Sequence, residues 1–583
     1  MVISAEVRME KSKEFIETGS LLQLPRRRPA FWKWVVAAAL LTSIPLFKAK
    51  SLFSSRCPHR GNGPTRMAYA GEHITWERCG DLGGRPLECS SIDVPMDQFS
   101  AANSGNKTFS IPLIRLRGAN ATQNLLLNPG GPGASGIDFV YRRGKQLRDI
   151  VGEGFHLLSF DPRGINSSRP LATCYPDAET RRELSRVRDT KVVEDSIEAY
   201  TWSHNFVRAC ADTMGEHAQY LNTPQTAADM NSILDAVGQD TMAYWGFSYG
   251  SILGQTYATM FPERSGRVII DGVANQFDWY EGLLDIETFY DTENVWEGFL
   301  EECIKAGNDC ALSSLAASKD ALRAKFLSLA KQLKDSPLSV YLNTTVYGII
   351  DYETIWYKAI FPALYKPANW YSLAEQLAKI LEGNATEALL SYGLSEPWNI
   401  AGDSTEFITY NDGASGASYW PQDRESALDV LIPYMNQSIF APTEYGGYYI
   451  KQQWKVPRTH RYVPRIGVKT AHPVLILSTS YDPVCPLLSA RSANAAFKDS
   501  KIVEVQGYGH CSVSIPSTCL ARHVRAFLYN GTVPDGYTQC EVDGPYFIKP
   551  DEGGKVKAHR HFDDPEEQRI HLAQIELARN WEW

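Results

Sequence analysis

Short apolar runs recur along the chain from about residue 71, and each run ends in a turn that is rich in Gly or Pro. Runs without polar alternation are typical of strands that are covered on both faces. Five of them predict buried strands followed by turns: "NLLLNPGGPG" (124–133), "FHLLSFDPRG" (155–164), "MAYWGFSYG" (242–250), "RVIIDGV" (267–273) and "HPVLILSTSYDP" (472–483).

Helical patterns lie between these runs. In "TPQTAADMNSILDAVG" (223–238), Met230, Ile233 and Leu234 fall on one face, and Thr223 is the expected N-cap before a proline. Strands that alternate with helices predict an α/β fold with a mostly parallel central sheet.

The alternation stops between about 277 and 465. This region is rich in Trp and Tyr and mainly helical in pattern, as in "KDALRAKFLSLAKQLK" (319–334). Because it separates the predicted strands at 267–273 and 472–483, we expect a large, mainly helical cap inserted between late strands of the sheet.

An apolar segment at 31–47, interrupted only by Lys33, follows a charged stretch that ends in Arg26–Arg28. About 30 residues precede the segment, whereas a cleaved signal peptide has a short basic start. The pattern predicts a transmembrane signal anchor, with the bulk of the chain luminal or extracellular. Secretion after cleavage is the alternative.

The composition indicates which partners are excluded and which cellular compartment the chain suits. A net charge of −9 argues against nucleic-acid binding, which needs a basic surface. Eleven cysteines and several N-x-S/T sequons indicate an oxidising, glycosylating compartment. The sequons are Asn106, Asn120, Asn166, Asn343, Asn384, Asn436 and Asn530. Asn166 is the least expected to be used, because it lies close to a predicted active-site loop.

At 583 residues the chain is long enough for more than one domain. The predicted segments are a cytoplasmic tail (1–30), the anchor (31–47), a stalk (48–70), a first core part (71–276), the cap (277–465), a second core part (466–545) and a carboxy-terminal tail (546–583).

Ser248 lies in "GFSYG", between a predicted strand and a predicted helix. Gly246 and Gly250 give room for a tight strand-to-helix turn, the position of a nucleophilic serine in α/β-hydrolases. A Gly-rich turn with an incidental serine is the alternative, so the remaining catalytic groups decide the interpretation.

An upstream loop, "NPGGPGASG" (128–136), can present bare backbone N–H groups to a developing negative charge. We expect the amides of Gly131 and Tyr249 to form the oxyanion hole. A phosphate-binding loop is the rival interpretation, but the lysine and hydroxyl residue that complete such a loop are missing.

The order of catalytic residues in an α/β-hydrolase is Ser, then Asp or Glu, then His. Asp482 follows a predicted strand beyond the cap, and His510 follows the next strand in "GYGHC". His510 would accept the Ser248 proton, and Asp482 would orient the imidazole. Asp271 at another strand end is an alternative acid, while His523 falls within a predicted helix and is a poor base.

The polar tail carries His559 and His561 beside Asp563 and Asp564. These residues are compatible with a metal site, but a tail of this kind is more often solvated. No metal and no other cofactor is expected.

The motifs "NPGGPGASG", "DPRGINSS", "GFSYGS", "YDPVCP" and "GHCSVSIPSTC" resemble those of the TAP-like α/β-hydrolases, secreted tripeptidyl and prolyl aminopeptidases, here of fungal type. The resemblance extends from about Cys79 to Glu541. It implies Ser248, Asp482 and His510 as the nucleophile, acid and base. Pro129 replaces the histidine that is common in the prolyl branch, which favours the tripeptidyl branch. Such enzymes hold the substrate amino group with cap carboxylates, and Glu406 is the candidate here.

Proximity in sequence makes the disulfides Cys79–Cys89 and Cys303–Cys310 plausible. Further pairing is expected among Cys485, Cys511, Cys519 and Cys540, with connectivity left open. An odd total leaves one cysteine over, and Cys57 in the stalk is the candidate.

The leading hypothesis is therefore a serine hydrolase that acts through an acyl-enzyme and releases residues or tripeptides from peptide amino termini. An esterase or small-molecule hydrolase on the same fold is the alternative. A catalytically silent, membrane-tethered binding protein is the third. The expected partners are a peptide or a small amide or ester, and the membrane through the anchor.

Overall fold

A computed structural model describes residues 66–188, 191–394, 402–443, 445–551 and 560–581, together with Val556 and Ala558. Among the described residues, eleven strands form one mixed sheet and two form a separate hairpin. In chain order the strands are β1 (Arg66–Ala68), β2 (Thr75–Leu82), β3 (Arg85–Pro95), β4 (Thr108–Leu116), β5 (Gln123–Asn128), β6 (Phe155–Phe160), β7 (Met242–Phe247), β8 (Ser265–Asp271), β9 (Leu338–Asn343), β10 (Val346–Ile350), β11 (Leu475–Tyr481), β12 (Lys501–Tyr508) and β13 (Thr538–Cys540).

The order of the strands across the sheet is β1-β2-β3-β4-β6-β5-β7-β8-β11-β12-β13. The strands from β6 to β13 in this order run parallel, whereas β1 to β4 form an antiparallel arm that joins the sheet along β6. The carboxyl ends of the parallel strands therefore meet along one edge, where an open α/β sheet places its ligands.

All five predicted buried strands are confirmed, as β5, β6, β7, β8 and β11. Every residue of β6 and β7 is buried, which explains why these strands lack polar alternation. The α/β class with a mostly parallel sheet is confirmed as well. The antiparallel arm was not predicted from the sequence.

The helices lie between and around these strands. They are α1 (Ala101–Ser104), α2 (Gly136–Val151), α3 (Ala178–Leu184), α4 (Ser196–Met214), α5 (Thr223–Ala236), α6 (Tyr249–Met260), α7 (Gln276–Glu281), α8 (Thr292–Ala306), α9 (Lys319–Asp335), α10 (Phe361–Tyr365), α11 (Trp370–Leu381), α12 (Thr386–Ala388), α13 (Ser404–Asp412), α14 (Arg424–Met435), α15 (Tyr445–Gln453), α16 (Leu487–Ala496), α17 (Thr518–Asn530) and α18 (Pro565–Asn580).

The predicted N-cap of α5 was wrong by one residue. Asn222 caps the helix, since its side chain accepts a hydrogen bond from the amide of Gln225. Thr223 is already helical, and its hydroxyl is bonded to Asp412 instead.

The residues between β8 and β11 are an insertion between two strands that are direct neighbours in the sheet, since Leu475 pairs with Ile269. The helices α8 to α12, α14 and α15 contribute to a hydrophobic cluster that includes Trp296, Trp370 and Tyr449. Helix α13 packs instead, through Phe407 and Ile408, in a cluster shared with the sheet. Helix α4 joins the same layer from an earlier part of the chain, since Tyr200 donates a hydrogen bond to the carbonyl of Gln422 at 2.8 Å. The predicted domain limits stay a prediction.

Helix α18 belongs to the core rather than to a solvated extension. Ile570, Ala573 and Leu577 lie in the hydrophobic cluster beneath the sheet. Trp581, directly after the helix, stacks edge-on against Phe247 at 4.9 Å and against Phe139 at 5.3 Å between ring centroids. The carboxy terminus therefore supports the strand that leads to Ser248.

Both disulfides expected from proximity, Cys79–Cys89 and Cys303–Cys310, are present. Cys519 pairs with Cys540, while Cys485 and Cys511 remain buried free thiols. The pair Cys174–Cys210 was not anticipated. Cys57 lies outside the described residues.

The expected single-pass membrane topology is corrected. Within the part of the chain that the structure describes, no helix has both the length and the apolar character needed to cross a bilayer. The segment on which the prediction rested, 31–47, lies outside the described residues, as do the cytoplasmic tail and most of the stalk.

All seven sequon asparagines are exposed. Asn166 differs from the others because its side-chain amide donates to Ser135 Oγ at 3.0 Å and to Asp161 Oδ2 at 2.9 Å. This nitrogen is the one that would carry a glycan. These hydrogen bonds give a reason why Asn166, although exposed, is the sequon least expected to be used.

Candidate active site

Ser248 occupies a strained turn between β7 and α6. Its backbone has φ 57° and ψ −123°, in the region that non-glycine residues rarely adopt. A conformation of this kind costs about 1–3 kcal/mol and is found mainly at functional sites. The amide of Ser248 donates to the carbonyl of Asp271 at 2.9 Å, which ties the turn to the end of β8.

The flanking glycines of "GFSYG" are needed for this turn. A Cβ on Gly246 would lie 2.3 Å from the carbonyl oxygen of Gly250, and a Cβ on Gly250 would lie 2.9 Å from the carbonyl oxygen of Asn128. Both distances are shorter than real Cβ contacts. The close approach explains the spacing of glycines around the serine.

The glycine loop after β5 packs directly onto this turn. A Cβ on Gly130 would meet the carbonyl oxygen of Phe247 at 2.4 Å and the Cβ of Ser248 at 2.9 Å. The amide of Gly130 is occupied by Asn128 Oδ1 at 3.0 Å. In contrast, the amides of Gly131 and Tyr249 donate to no acceptor among the described residues. Gly131 follows the residue that packs on Ser248, and Tyr249 follows Ser248 itself, so both amides lie next to the turn.

Asp482 and His510 form a buried pair at the ends of β11 and β12. His510 Nδ1 lies 2.9 Å from each carboxylate oxygen of Asp482. The same carboxylate accepts from the amides of Cys485 at 2.8 Å and Cys511 at 2.9 Å. These donors fix the carboxylate, which holds the imidazole of His510 through Nδ1.

The alternative acid, Asp271, has other partners. Its carboxylate accepts from the amide of Ser512 at 2.7 Å, from the Ser512 hydroxyl at 2.6 Å and from Trp245 Nε1 at 3.2 Å. Complete burial raises the pKa of Asp271 to about 6 despite these hydrogen bonds. His523, the alternative base, lies in α17 beside the Cys519–Cys540 disulfide. The structure therefore pairs His510 with Asp482.

Cys511 connects the nucleophile turn with the imidazole. Its Sγ is 3.5 Å from the carbonyl of Asp271, the same oxygen that accepts from the Ser248 amide. The sulfur also lies 3.9 Å from His510 Nε2. Burial raises the pKa of the Cys511 thiol well above its usual value, which keeps the thiol protonated. This contact was not foreseen from the sequence, where Cys511 was a candidate for a disulfide.

A buried polar chain links the turn to the cap. The Tyr249 hydroxyl lies 2.6 Å from Thr223 Oγ1, which donates to Asp412 Oδ2 at 2.5 Å. Trp279 Nε1 donates to the same oxygen at 2.9 Å. Burial raises the pKa of Asp412 to about 6, although its hydrogen bonds oppose the shift. Sequence reasoning missed this chain because its members are distant in sequence.

Glu406 lies in α13, the cap helix that touches the glycine loop. The neighbouring Thr405 Oγ1 donates to the carbonyl of Pro132 at 2.6 Å. Burial raises the pKa of Glu406 to about 7, with a further contribution from the negative charge of Asp403. No side chain among the described residues forms a hydrogen bond to the Glu406 carboxylate.

Two protein families match parts of the chain. The family described as "alpha/beta hydrolase fold" matches residues 123–308, and the family described as "TAP-like protein" matches residues 444–540. The chain is 27% identical to "Serine protease Hip1" of Mycobacterium tuberculosis, over 82% of this chain and 93% of the relative.

Two further relatives carry different printed names. "Tripeptidyl aminopeptidase" of Streptomyces lividans is 25% identical, over 80% of this chain and 86% of the relative. "Carboxylesterase B" of Mycobacterium tuberculosis is 24% identical, over 88% of this chain and 99% of the relative. The fungal type expected from the motifs stays a prediction.

The two matched families cover the structural parts that carry Ser248 and His510. The first contains β5, the glycine loop and the Ser248 turn, and the second contains β11, β12 and the Asp482–His510 pair. The chain is a serine hydrolase of the α/β-hydrolase fold, with a TAP-like region towards its carboxy terminus.

Proposed function

We propose that the protein is a serine peptidase that releases residues or tripeptides from the free amino terminus of peptides. Ser248 is the nucleophile, His510 the general base and Asp482 the residue that orients the base. The single observation that supports this assignment best is the Asp482–His510 pair, whose imidazole approaches Cys511 Sγ beside the Ser248 turn.

The reaction proceeds through an acyl-enzyme. His510 Nε2 takes the proton from Ser248 Oγ as the oxygen attacks the carbonyl carbon of the scissile amide. The amides of Gly131 and Tyr249 donate to the oxyanion of the tetrahedral intermediate. The protonated imidazole then gives its proton to the leaving amine. Water, deprotonated by His510, hydrolyses the ester and restores Ser248.

Burial favours this proton transfer. Asp482 is fully buried and His510 is 1% exposed, so the carboxylate stabilises the imidazolium in a medium of low polarity. Asp482 keeps its negative charge throughout, because the proton moves only between Ser248, His510 and the leaving group.

Recognition of the amino terminus is assigned to Glu406. Its carboxylate has no hydrogen-bonding side chain of its own within the described residues and lies on the helix that contacts Pro132 of the glycine loop. A substrate ammonium group would supply a hydrogen-bonding cation, in addition to the positive charge of Arg181, which lowers the pKa of Glu406. This residue distinguishes an aminopeptidase from a hydrolase that requires no free amine.

An esterase is the second candidate, and the similarity to a relative named carboxylesterase B supports it. The same nucleophile, base and oxyanion donors cleave esters as well as amides. A panel of p-nitrophenyl esters and aminoacyl-nitroanilides separates the two. A peptidase of the proposed kind hydrolyses the anilides and loses activity when their amino group is acetylated, whereas an esterase does not depend on that amine.

The nucleophile is tested with Ser248→Ala and a fluorophosphonate probe. We expect wild type to label on Ser248 and to hydrolyse aminoacyl anilides, and we expect the variant to do neither. Ser251→Ala is the matched control, since Ser251 lies in the first turn of the same helix and its hydroxyl accepts from the amide of Ala274. Full activity of Ser248→Ala would overturn the proposal.

A further inference from the structure

A groove of about 800 Å³ opens between the cap and the carboxyl ends of β11 and β12. Its floor contains Tyr481 and Tyr508, and the cap contributes Tyr290 and Asp291 from the segment before α8. The groove is separate from the glycine loop and from Glu406, because no residue of that loop lines the groove and Glu406 does not line it either. Its volume falls in the range of ordinary ligand sites.

The walls of the groove are aromatic. Tyr481 and Tyr508 stack on each other with ring centroids 5.3 Å apart and an interplanar angle of 17°. Tyr546 lies on the far side, 5.6 Å from the Tyr508 ring, and Tyr290 is 65% exposed at the rim. Faces of aromatic rings attract cations.

The charge of the groove is strongly unbalanced. Four carboxylates line the groove: Asp291, Glu302, Glu504 and Glu541. Arg491 is the one cationic side chain among its lining residues. Glu504 is buried, which alone would raise its pKa, but hydrogen bonds from Ser480, Tyr537 and Gln539 lower the pKa below its usual value. The groove therefore carries a net negative charge next to aromatic faces, a combination that suits a positive ligand.

The groove adjoins the acid–base side of the active site. Tyr481 directly precedes Asp482, and its carbonyl accepts from the amide of Gly509 at 3.0 Å. Gly509 in turn separates Tyr508 from His510. In acyl transfer the imidazole gives its proton to the leaving amine, so the released part of the substrate departs past His510. The groove therefore neighbours Asp482 and His510 along the chain, while the three catalytic residues themselves do not line it.

We propose that this groove binds a lysine or arginine side chain of the peptide on the leaving-group side of the scissile bond. The proposal rests on the proposed peptidase function, and it adds a preference for basic residues downstream of the cleaved amide. The aliphatic stem of such a side chain packs against the tyrosine rings. The charged end binds Glu541 and competes for the Glu302 carboxylate with Lys305, whose Nζ lies 3.0 Å from it.

Binding is measured without turnover, on the Ser248→Ala protein by titration calorimetry. The probes are pairs of peptides with a free amino terminus. The two peptides of a pair are identical except at one position, where one has lysine and the other norleucine. Successive pairs place this position further downstream. At one position or more we expect the lysine peptide to bind about tenfold tighter, in keeping with cation–π and charge attraction. The preference should shrink as salt is added.

The double variant Glu302→Gln/Glu541→Gln, in the same background, should abolish the preference. Glu301→Gln is the matched control, because Glu301 bonds the same Lys305 as Glu302 but does not line the groove. Thermal melting verifies that each variant is folded. Equal affinity for both peptides at every position, or a preference that survives in the double variant, would overturn the proposal.

Cleavage of the same peptide pairs by wild type separates the two proposals. A higher kcat/KM for the lysine peptides supports both. If wild type cleaves neither peptide although the lysine preference in binding remains, the peptidase function falls and the cation-binding groove stands. If wild type cleaves both equally and binds both equally, the groove proposal falls alone.

Discussion

Two buried aspartates at the ends of neighbouring strands have different tasks, and substitution to asparagine separates them. Asp482→Asn removes the charge that stabilises the imidazolium and favours the wrong tautomer, so kcat should fall by about 10⁴-fold. Asp271→Asn keeps a side chain of the same shape against Ser512 and Trp245 and should change kcat by less than about tenfold. Steady-state kinetics on an aminoacyl anilide measure both. If kcat fell further in Asp271→Asn than in Asp482→Asn, Asp271 rather than Asp482 would be the residue that supports the base.

The role proposed for Glu406 predicts that substrate binding depends on pH with a definite sign. Its pKa of about 7 means that the carboxylate becomes charged as the pH rises through 7, while a substrate α-amino group loses its proton near pH 8. Substrate binding through this ion pair should therefore strengthen from pH 6 to about 7.5 and weaken above pH 8.

Glu406→Gln should raise KM by about tenfold with little change in kcat and should remove the strengthening between pH 6 and 7.5. KM is followed across this range for an aminoacyl anilide. Glu425→Gln, an exposed carboxylate of α14, is the control. An unchanged KM profile in Glu406→Gln would place amine recognition elsewhere.

At the scale of elements, the carboxy-terminal helix supports the strand of the nucleophile. Trp581 is 2% exposed and contacts Phe247, the residue before Ser248. Trp581→Ala should lower the free energy of unfolding by about 3–5 kcal/mol, as large aromatic deletions in a core do, and reduce activity as well. Leu572→Ala, on the 42% exposed side of α18, should cost less than about 1 kcal/mol. Urea denaturation measures both variants, and equal losses would contradict the packing role of Trp581.

Elements with a local sequence signal could be predicted from the sequence. The buried strands have unbroken apolar runs, and the Ser248 turn has glycines that its own backbone requires. Asp482 and His510 were found because each directly follows a predicted strand in the expected chain order. The fold class and the position of these residues at one sheet edge follow from such signals.

Features that depend on distant pairing were not predicted. Thr223 and Asp412 are 189 residues apart, so nothing local in α5 shows that the threonine hydroxyl serves the cap while Asn222 caps the helix. Helix α4 packs with cap helices that come more than 200 residues later. The packing of helix α18 on the core was not predicted either, because its buried residues are spread among exposed acids and bases.

At the scale of the whole molecule, the exposed sequons and the cysteine pairing can be tested in one mapping experiment. Expression in a glycosylating, oxidising host should give glycans at sequons with a free amide, and glycopeptide mapping should find Asn166 unoccupied because its amide is bonded to Ser135 and Asp161. The same mapping under non-reducing conditions should recover the Cys174–Cys210 and Cys519–Cys540 pairs, with Cys485 and Cys511 as thiols. A glycan on Asn166 would show that this loop differs from the structure.

The most direct test of the central claim is the product analysis of one peptide in two forms, with a free and with an acetylated amino terminus. Wild type and Ser248→Ala are incubated with each form, and the products are identified by mass spectrometry. The account predicts that wild type releases one residue or a tripeptide from the free amino terminus only, and that the variant releases nothing. Equal cleavage of the acetylated peptide, or cleavage by Ser248→Ala, would contradict it.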